Sequence, residues 1–512
     1  MTTTKPKEFS KFQAIVFPIH KFELRKFLPM SFLLFFILFV YTLVRDLKDV
    51  FVQYQTHVWL KDGVPDSSAS SQLISALKLW YVLPFAFLAV MLFTVLMNKF
   101  GSKKTFYIIV SSFMVFYALF GFFLYPNLDH LMMSSEQITS MVAGVPGFFK
   151  TLVTCAGNWP ITLFYIFSEI WGTMAISSLF WQFANATTMK DETKRFFGLF
   201  SLIGNAGVVI AGVTIKNALK DYSIHNVMIL MLSVLLCGAF VLATYAYINK
   251  KVLTDASLFD PSQIKEKKKK SKEKVSVMDG IKFLFTNTYL LLVAVLVMGY
   301  GIAVNFAEVV LKTQMKAAFD KTEYASMQGN LSIFTGVFTI VITLFAANVL
   351  RRCKWKISAA VTPAIFLILG TIFFALTLYN KFVSPTFFGF SALTLAIWFG
   401  IIQDAMVKSV KYCLFDSTKS MAYIPLDEDT KTKGQAAVEV IGGRAGKAGA
   451  SLIQQIMFGI IPGLMNHVVT IVAIFVVTVI AWIASVFRLS PKYEKAVEEM
   501  NENDEKVAVT EN

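Results

Sequence analysis

Apolar runs long enough to cross a bilayer recur along the whole chain, near residues 27–45, 76–97, 105–125, 160–184, 197–215, 226–248, 289–311, 329–350, 357–379, 386–406 and 468–488. A hydrocarbon core about 30 Å thick takes roughly 20 helical residues. Inside lipid the backbone has no water to bond, so it must satisfy itself within a helix or a closed barrel. Runs of this length and number therefore dictate an all-α polytopic membrane protein. A composition with 56% hydrophobic residues and 50 Phe among 512 residues excludes an ordinary soluble domain.

A further candidate, 434–462, differs in kind. Its first part, GQAAVEVIGGRAGKAGASLIQQ (434–455), is rich in Gly and Ala yet carries Arg444 and Lys447. A charged side chain near mid-bilayer costs at least about 2.5–3.5 kcal/mol, so it normally faces a cavity, a partner or a substrate. Every fourth residue gives Gln435, Glu439, Gly443, Lys447, Ser451 and Gln455, a slowly winding polar stripe on one helix. A cytoplasmic amphipathic helix would show the same stripe. Counted as a span, the segment brings the total to twelve and puts the basic residues in alternate loops.

Those loops hold Lys5 to Lys26, Lys99/Lys103/Lys104, Lys190/Lys194/Arg195, the 249–282 linker, Arg351/Arg352/Lys354/Lys356 and Arg488/Lys492. Positive residues stay on the cytoplasmic side, which predicts that both termini are cytoplasmic. The net charge of +15 is thereby explained without nucleic acid as a partner. Residues 1–26 lack a short apolar core with a small-residue cleavage site, so the helix from Phe27 reads as retained. Four scattered cysteines and five unpaired histidines indicate neither a disulfide framework nor a metal, and no cofactor is expected.

The basic run at 267–270 cannot enter lipid and divides the chain six plus six. KRFFGLFSLIGNAG from Lys194 and KGQAAVEVIGGRAG from Lys433 align without gaps in corresponding spans. The first spans of the two halves also match, ending in Asp46/Lys48 (VRDLKDVF) and Glu308/Lys312 (NFAEVVLK). Two six-helix halves related by an axis along the membrane normal form the major-facilitator arrangement, a 6+6 parallel pseudo-repeat. The expected units are a 1–26 cytoplasmic segment, a 27–248 bundle, a 249–282 basic linker, a 283–490 bundle and a charged tail from 491 to 512. The tail carries a short helix at most.

Three further ionisable residues lie within spans: Lys78, Glu169 and Glu308. Span four sets Tyr165, Glu169, Thr173, Ser177, Trp181 and Asn185 at intervals of four, a stripe that lines something wet. Glu169 and Glu308 read equally as structural ion-pair partners of Lys78 and Lys447, and a lysine near a helix end can snorkel to the interface. Cations on both halves suit a polyanion such as a nucleotide, whose phosphates need charge-assisted donors where water is scarce. Glycines 442, 443, 446 and 449 would admit a phosphate or a neighbouring helix. GGRAGKAG is not an ATPase phosphate loop, because Ile441 and Ala448 stand where Gly and Ser/Thr are required. No catalytic constellation appears, so no enzyme is expected.

FSEIWGTMAISSLFWQFAN, KYCLFDSTKSMAYIPLDEDTKTKGQAAVEVIGGRAGKAG and VRDLKDVF resemble the ATP/ADP translocase family of obligate intracellular bacteria and plastids, most of all its bacterial exchangers. The resemblance implies a monomeric carrier in the bacterial inner membrane that imports ATP in exchange for ADP, with phosphate accompanying ADP. It also implies functional roles for two lysines and two glutamates, which match Lys78, Glu169, Glu308 and Lys447. Departures at Ala186, Asp404 and Ala448 bear on substrate preference, and NAD/ADP antiport remains an alternative. The expected mechanism seats phosphates between Lys78 and the pair Arg444 and Lys447, with Glu169 and Glu308 pairing those lysines when the site is empty. Tyr165 or Trp181 would stack on adenine, and Asn205 and Asn305 would add polar contacts. A proton-coupled nucleotide or organic-anion symporter would instead use Glu169 or Glu308 as proton carrier.

Overall fold

The computed structural model describes residues 17–66, 69–259, 286–383, 386–387, 390–427, 430, 434, 438, 443 and 446–510. Among them, ten helical runs are long and apolar enough to cross a membrane. The longest, Ala69–Leu131, holds two spans, because Gly101 breaks it with φ 71° and ψ 170°. That backbone conformation is essentially restricted to glycine, so the chain turns there, between α2 (69–100) and α3 (102–131).

The other spans of the first half are α1 (Leu24–Tyr54), α6 (Trp159–Thr187), α7 (Lys190–Ala218) and α8 (Ile224–Val252). Two short helices, α4 (Ser135–Val142) and α5 (Gly147–Gly157), precede α6. The second half comprises α9 (Thr288–Ala318), α10 (Lys321–Arg352), α11 (Trp355–Val383), α12 (Ala392–Met421), α13 (Gly446–Ile460) and α14 (Val468–Thr510). Side-chain caps fix several starts: Asn287 accepts from Tyr289 and Leu290, and Asp320 with Glu323 closes a capping box.

The halves meet reciprocally. Helix α7, the fifth span of the first half, packs on α10, the second of the other half; α2, the second span, packs on α13, the fifth. A pseudo-two-fold relation requires that exchange of roles. At the α7/α10 crossing, a Cβ on Gly212 would lie 2.6 Å from the Gly329 carbonyl oxygen, and one on Gly329 would lie 2.7 Å from that of Gly212. Only glycine permits this approach of two backbones.

Ion pairs at the end of the bundle that bears the basic loops stay within one half. Lys26 meets Glu192 at 2.6 Å and Arg195 meets Glu23 at 2.6 Å. Burial pushes the Glu23 carboxyl up, but the Arg195 hydrogen bond and charge outweigh it and hold the group below its usual range. Among the described residues, hydrogen bonds joining the halves run from mid-span to the opposite end. There Tyr54 donates to the Phe319 carbonyl at 2.7 Å, Lys216 to Asn330 at 3.0 Å and Thr151 to Gln455 at 2.6 Å. Ser75 also bonds Gln454. The bundle is thus fastened across its halves at the end remote from the basic loops.

Three expectations change. The tenth span starts at Ala392, not 386, because Thr386–Phe387 and Phe390–Ser391 form a hairpin and Ser391 caps the helix by accepting from Thr394. The charged tail continues the last span's helix through Pro491 to Thr510, with Lys495 and Glu499 paired one turn apart at 3.6 Å. The acidic and basic residues near 46–48 and 308–312 do not end their spans, since α1 runs on to Tyr54 and α9 to Ala318.

Candidate functional site

The continuation of α1 and α9 places their charges inside the bundle, where each must find a partner. Lys78 on α2 reaches Glu308 on α9 at 3.5 Å, across the halves. Glu308 has a closer partner that the sequence did not reveal: Lys408 on α12, at 2.7 Å, itself held by Asp404 at 2.9 Å one turn away. Lys78 also donates to Asn305 at 3.1 Å.

Glu169 does not pair with Lys447. Its partner is Lys48 on α1 at 3.1 Å; Lys78 and Lys447 act on it only through space. Lys48 is shared with Asp49 at 2.9 Å, and Asp49 with Lys312 of α9 at 2.9 Å. Glu169, Lys48, Asp49 and Lys312 therefore form one chain of alternating charge from α6 through α1 into the second half. Beside it, Arg45 bonds Asp46 at 3.0 Å and donates to Ser332 of α10 at 2.9 Å, and Ser332 donates in turn to Asp46. At the two ends, the Lys312 side chain is 9% exposed, whereas that of Glu169 is 31% exposed. One end of the chain is sealed and the other faces open space within the bundle.

Lys447 is exposed and, among the described residues, has no ion-pair partner. Its backbone carbonyl accepts from Asn305 at 2.7 Å, and Asn305 donates also to Ser451 at 3.0 Å. Asn305 is thus a buried clamp tying Lys78 to the helix of Lys447. Gly446 explains how the helices approach: a Cβ there would lie 3.0 Å from the Met298 carbonyl oxygen. A Cβ on Gly443 or Gly449 would meet nothing within 4 Å, so close packing does not account for those two glycines. Arg444 lies outside the described residues.

The remaining candidates differ in burial, with Tyr165 buried and Trp181 and Asn205 half-buried. Tyr165 is fully buried beneath Lys48, whose ammonium sits 4.0 Å from the ring centre. Trp181 packs edge-on against Phe180 and Phe197, both at 5.2 Å. Asn205 donates to the Ser201 carbonyl at 2.7 Å, and its own carbonyl lies at the α7/α10 crossing. The regular four-residue stripe of span four is also interrupted, because Gly172–Trp181 is wound as a π-helix.

Similar windings carry other site residues: Leu77–Val82 holds Lys78, and Lys411–Phe415 follows Lys408. Such segments are frequent at functional sites, because the extra residue per turn re-aims side chains. The sequence signal for the missed residues was their spacing, with Arg45/Asp49, Glu308/Lys312 and Asp404/Lys408 each one turn apart.

Residues 2–493 match the family model described as TLC ATP/ADP transporter. The chain is 38% identical to an ADP,ATP carrier protein 1 of Rickettsia typhi, over 98% of this chain and 100% of that protein. It is 36% identical to one of Chlamydia pneumoniae, over 96% of this chain and 95% of the relative. The fold is similar to that of a solved xylose transporter of E. coli, with a TM-score of 0.56 and 12% identity over 90% of this chain and 96% of the other. It is also similar to a nucleoside transporter, with a TM-score of 0.53 and 14% identity over 90% and 99%. The chain is a multi-pass membrane protein that shares the fold of those solved transporters and belongs to the TLC ATP/ADP transporter family.

Proposed function

We propose that the protein exchanges ATP for ADP across the bacterial inner membrane, with the basic loops and both termini in the cytoplasm. ATP enters as ADP leaves, and phosphate travelling with ADP balances the extra charge of ATP. The observation that carries this reading is the pair of charge chains crossing between the halves, one of them open at Glu169 beside Lys447, which has no ion-pair partner among the described residues.

Phosphates bind Lys447, Arg444 and Lys78, with Lys408 available once Glu308 is displaced. Each is a donor whose charge is worth most where water is partly excluded. In the empty protein Glu308 neutralises Lys78 and Lys408, and Glu169 neutralises Lys48. Breaking such a pair without a replacement leaves a buried charge uncompensated, at about 3–5 kcal/mol. Reorientation requires Lys78–Glu308 and Lys312–Asp49 to part, so it is slow when empty and fast when phosphates take the carboxylates' places. Obligatory exchange follows from that competition.

Closure at the end remote from the basic loops makes the described state open to the cytoplasm. Rocking about the glycine crossing of α7 and α10 would open the other side. The test is uptake of radiolabelled ATP into proteoliposomes preloaded with ADP, with empty vesicles and Lys447→Gln in parallel. Uptake confined to loaded vesicles and lost in the variant supports the reading. Equal uptake into empty vesicles, rising as external pH falls, would replace exchange with proton-coupled symport.

A further inference from the structure

The charged layer has an aromatic layer beside it. Tyr41 lies seven residues from Lys48 on α1, Tyr300 eight from Glu308 on α9, and Tyr412 four from Lys408 on α12. In every case the displacement is toward the basic end. At about 1.5 Å per residue it amounts to roughly 6–12 Å. Three helices from both halves thus set a tyrosine one to two turns from the lysines and carboxylates. The Lys411 ammonium lies 4.6 Å from the Tyr412 ring centre and 5.9 Å from that of Tyr300, so those two rings flank one cation.

Two of these rings are braced. Tyr41 lies against Gly172, where a Cβ would fall 2.4 Å from its Cε2, and Arg45 sits 5.3 Å from its ring centre. Tyr300 stacks on Phe415 at 5.6 Å and meets Trp482 edge-on at 6.0 Å. Tyr412 is different. It lies in a π-helical turn and contacts the Lys411 ammonium at 4.6 Å, yet is 47% exposed. A ring in that position could face lipid, but Lys408, one turn away, points between the halves at Glu308. Lys411, its neighbour, pairs with Asp416 at 2.8 Å, a charge density that lipid contact would not tolerate.

A broad, open aromatic face at a fixed distance from a phosphate-binding layer fits the other end of a nucleotide. Base–aromatic stacking is favourable for any base, because every base presents a π-face. We propose that Tyr412 is the platform on which the purine stacks, with Lys411 fixing the ring and Tyr41 and Tyr300 forming the walls. This assignment rests on the exchanger reading above and adds the base subsite to it.

The test compares the unaltered protein with Tyr412→Ala, Tyr412→Phe and Tyr412→Trp in proteoliposomes, measuring equilibrium binding of ATP and of pyrophosphate, a probe that has phosphates but no base. Tyr412→Ala should weaken ATP by about tenfold or more while shifting pyrophosphate by less than about twofold, and Phe and Trp should keep ATP affinity. Unchanged ATP binding in Tyr412→Ala would overturn the assignment. So would an equal loss for ATP and pyrophosphate in that variant, which marks a phosphate-site or folding effect. If the unaltered protein binds pyrophosphate but not ATP, the exchanger reading fails and this subsite with it.

Discussion

The two ends of the bundle both hold buried ion pairs, but they connect different things. At the basic end, Lys26–Glu192 and Arg195–Glu23 join helices of a single half. Toward the opposite end, Lys78–Glu308 and Lys312–Asp49 join one half to the other. A pair such as Lys26–Glu192, within one half and away from the lysines of the site, moves as a unit when the halves rock, so it contributes to folding. In the proposed cycle a pair across the halves breaks at every turnover, so its strength would set how readily the empty carrier reorients. Burial alone does not distinguish the two kinds; the helices that they connect do.

The distinction predicts a graded series of substitutions. The largest effect is expected for Glu308→Gln, which leaves Lys78 and Lys408 without their shared carboxylate: counter-exchange at equal membrane level should fall by about two orders of magnitude. Retention of more than half the rate would remove Glu308 from the cycle.

Asp49→Asn comes next. It frees Lys312 and leaves Lys48 to Glu169 alone, so nucleotide efflux without counter-substrate should rise while exchange falls by about tenfold. The double variant Asp49→Lys with Lys312→Asp should recover part of the coupling. A swap no better than either single change would show that these charges do not act as a pair across the halves.

Glu192→Gln probes the other class. The apparent unfolding temperature of the purified protein should drop by several degrees, because Lys26 loses its buried partner, while exchange per folded molecule stays unchanged. A selective loss of transport would erase the contrast between the two ends. The smallest effect belongs to Lys495→Ala, at an exposed pair on the α14 extension, where neither unfolding temperature nor exchange should move measurably.

How much of this the sequence held depended on where each charge lay within its apolar run. Glu169 stands in the middle of a run, and Lys78 and Glu308 still fall inside theirs, so the cost of placing them in lipid marked them without a structure. Lys48, Asp49 and Lys312 lie where hydropathy falls away, and a charge there reads as the edge of the membrane. The helices run on past them to Tyr54 and Ala318, and only the ion pair of α1 with α9 and its packing against α10 show that those turns are interior. Lys408 was hidden for a related reason: its partner Glu308 is 100 residues away on another helix. Tyr165 fell on the right polar stripe but under Lys48, a contact that no periodicity encodes.

In the proposed mechanism, carboxylates holding the lysines of the empty site make exchange obligatory. The most direct measurement is the efflux of labelled ADP from proteoliposomes into medium with and without ATP, for the unaltered protein and for Asp49→Asn. The account predicts that external ATP accelerates efflux manyfold in the unaltered protein, and that the ratio collapses in the variant because efflux without ATP rises. Equal efflux with and without ATP in the unaltered protein, or an unchanged ratio in Asp49→Asn, would contradict it.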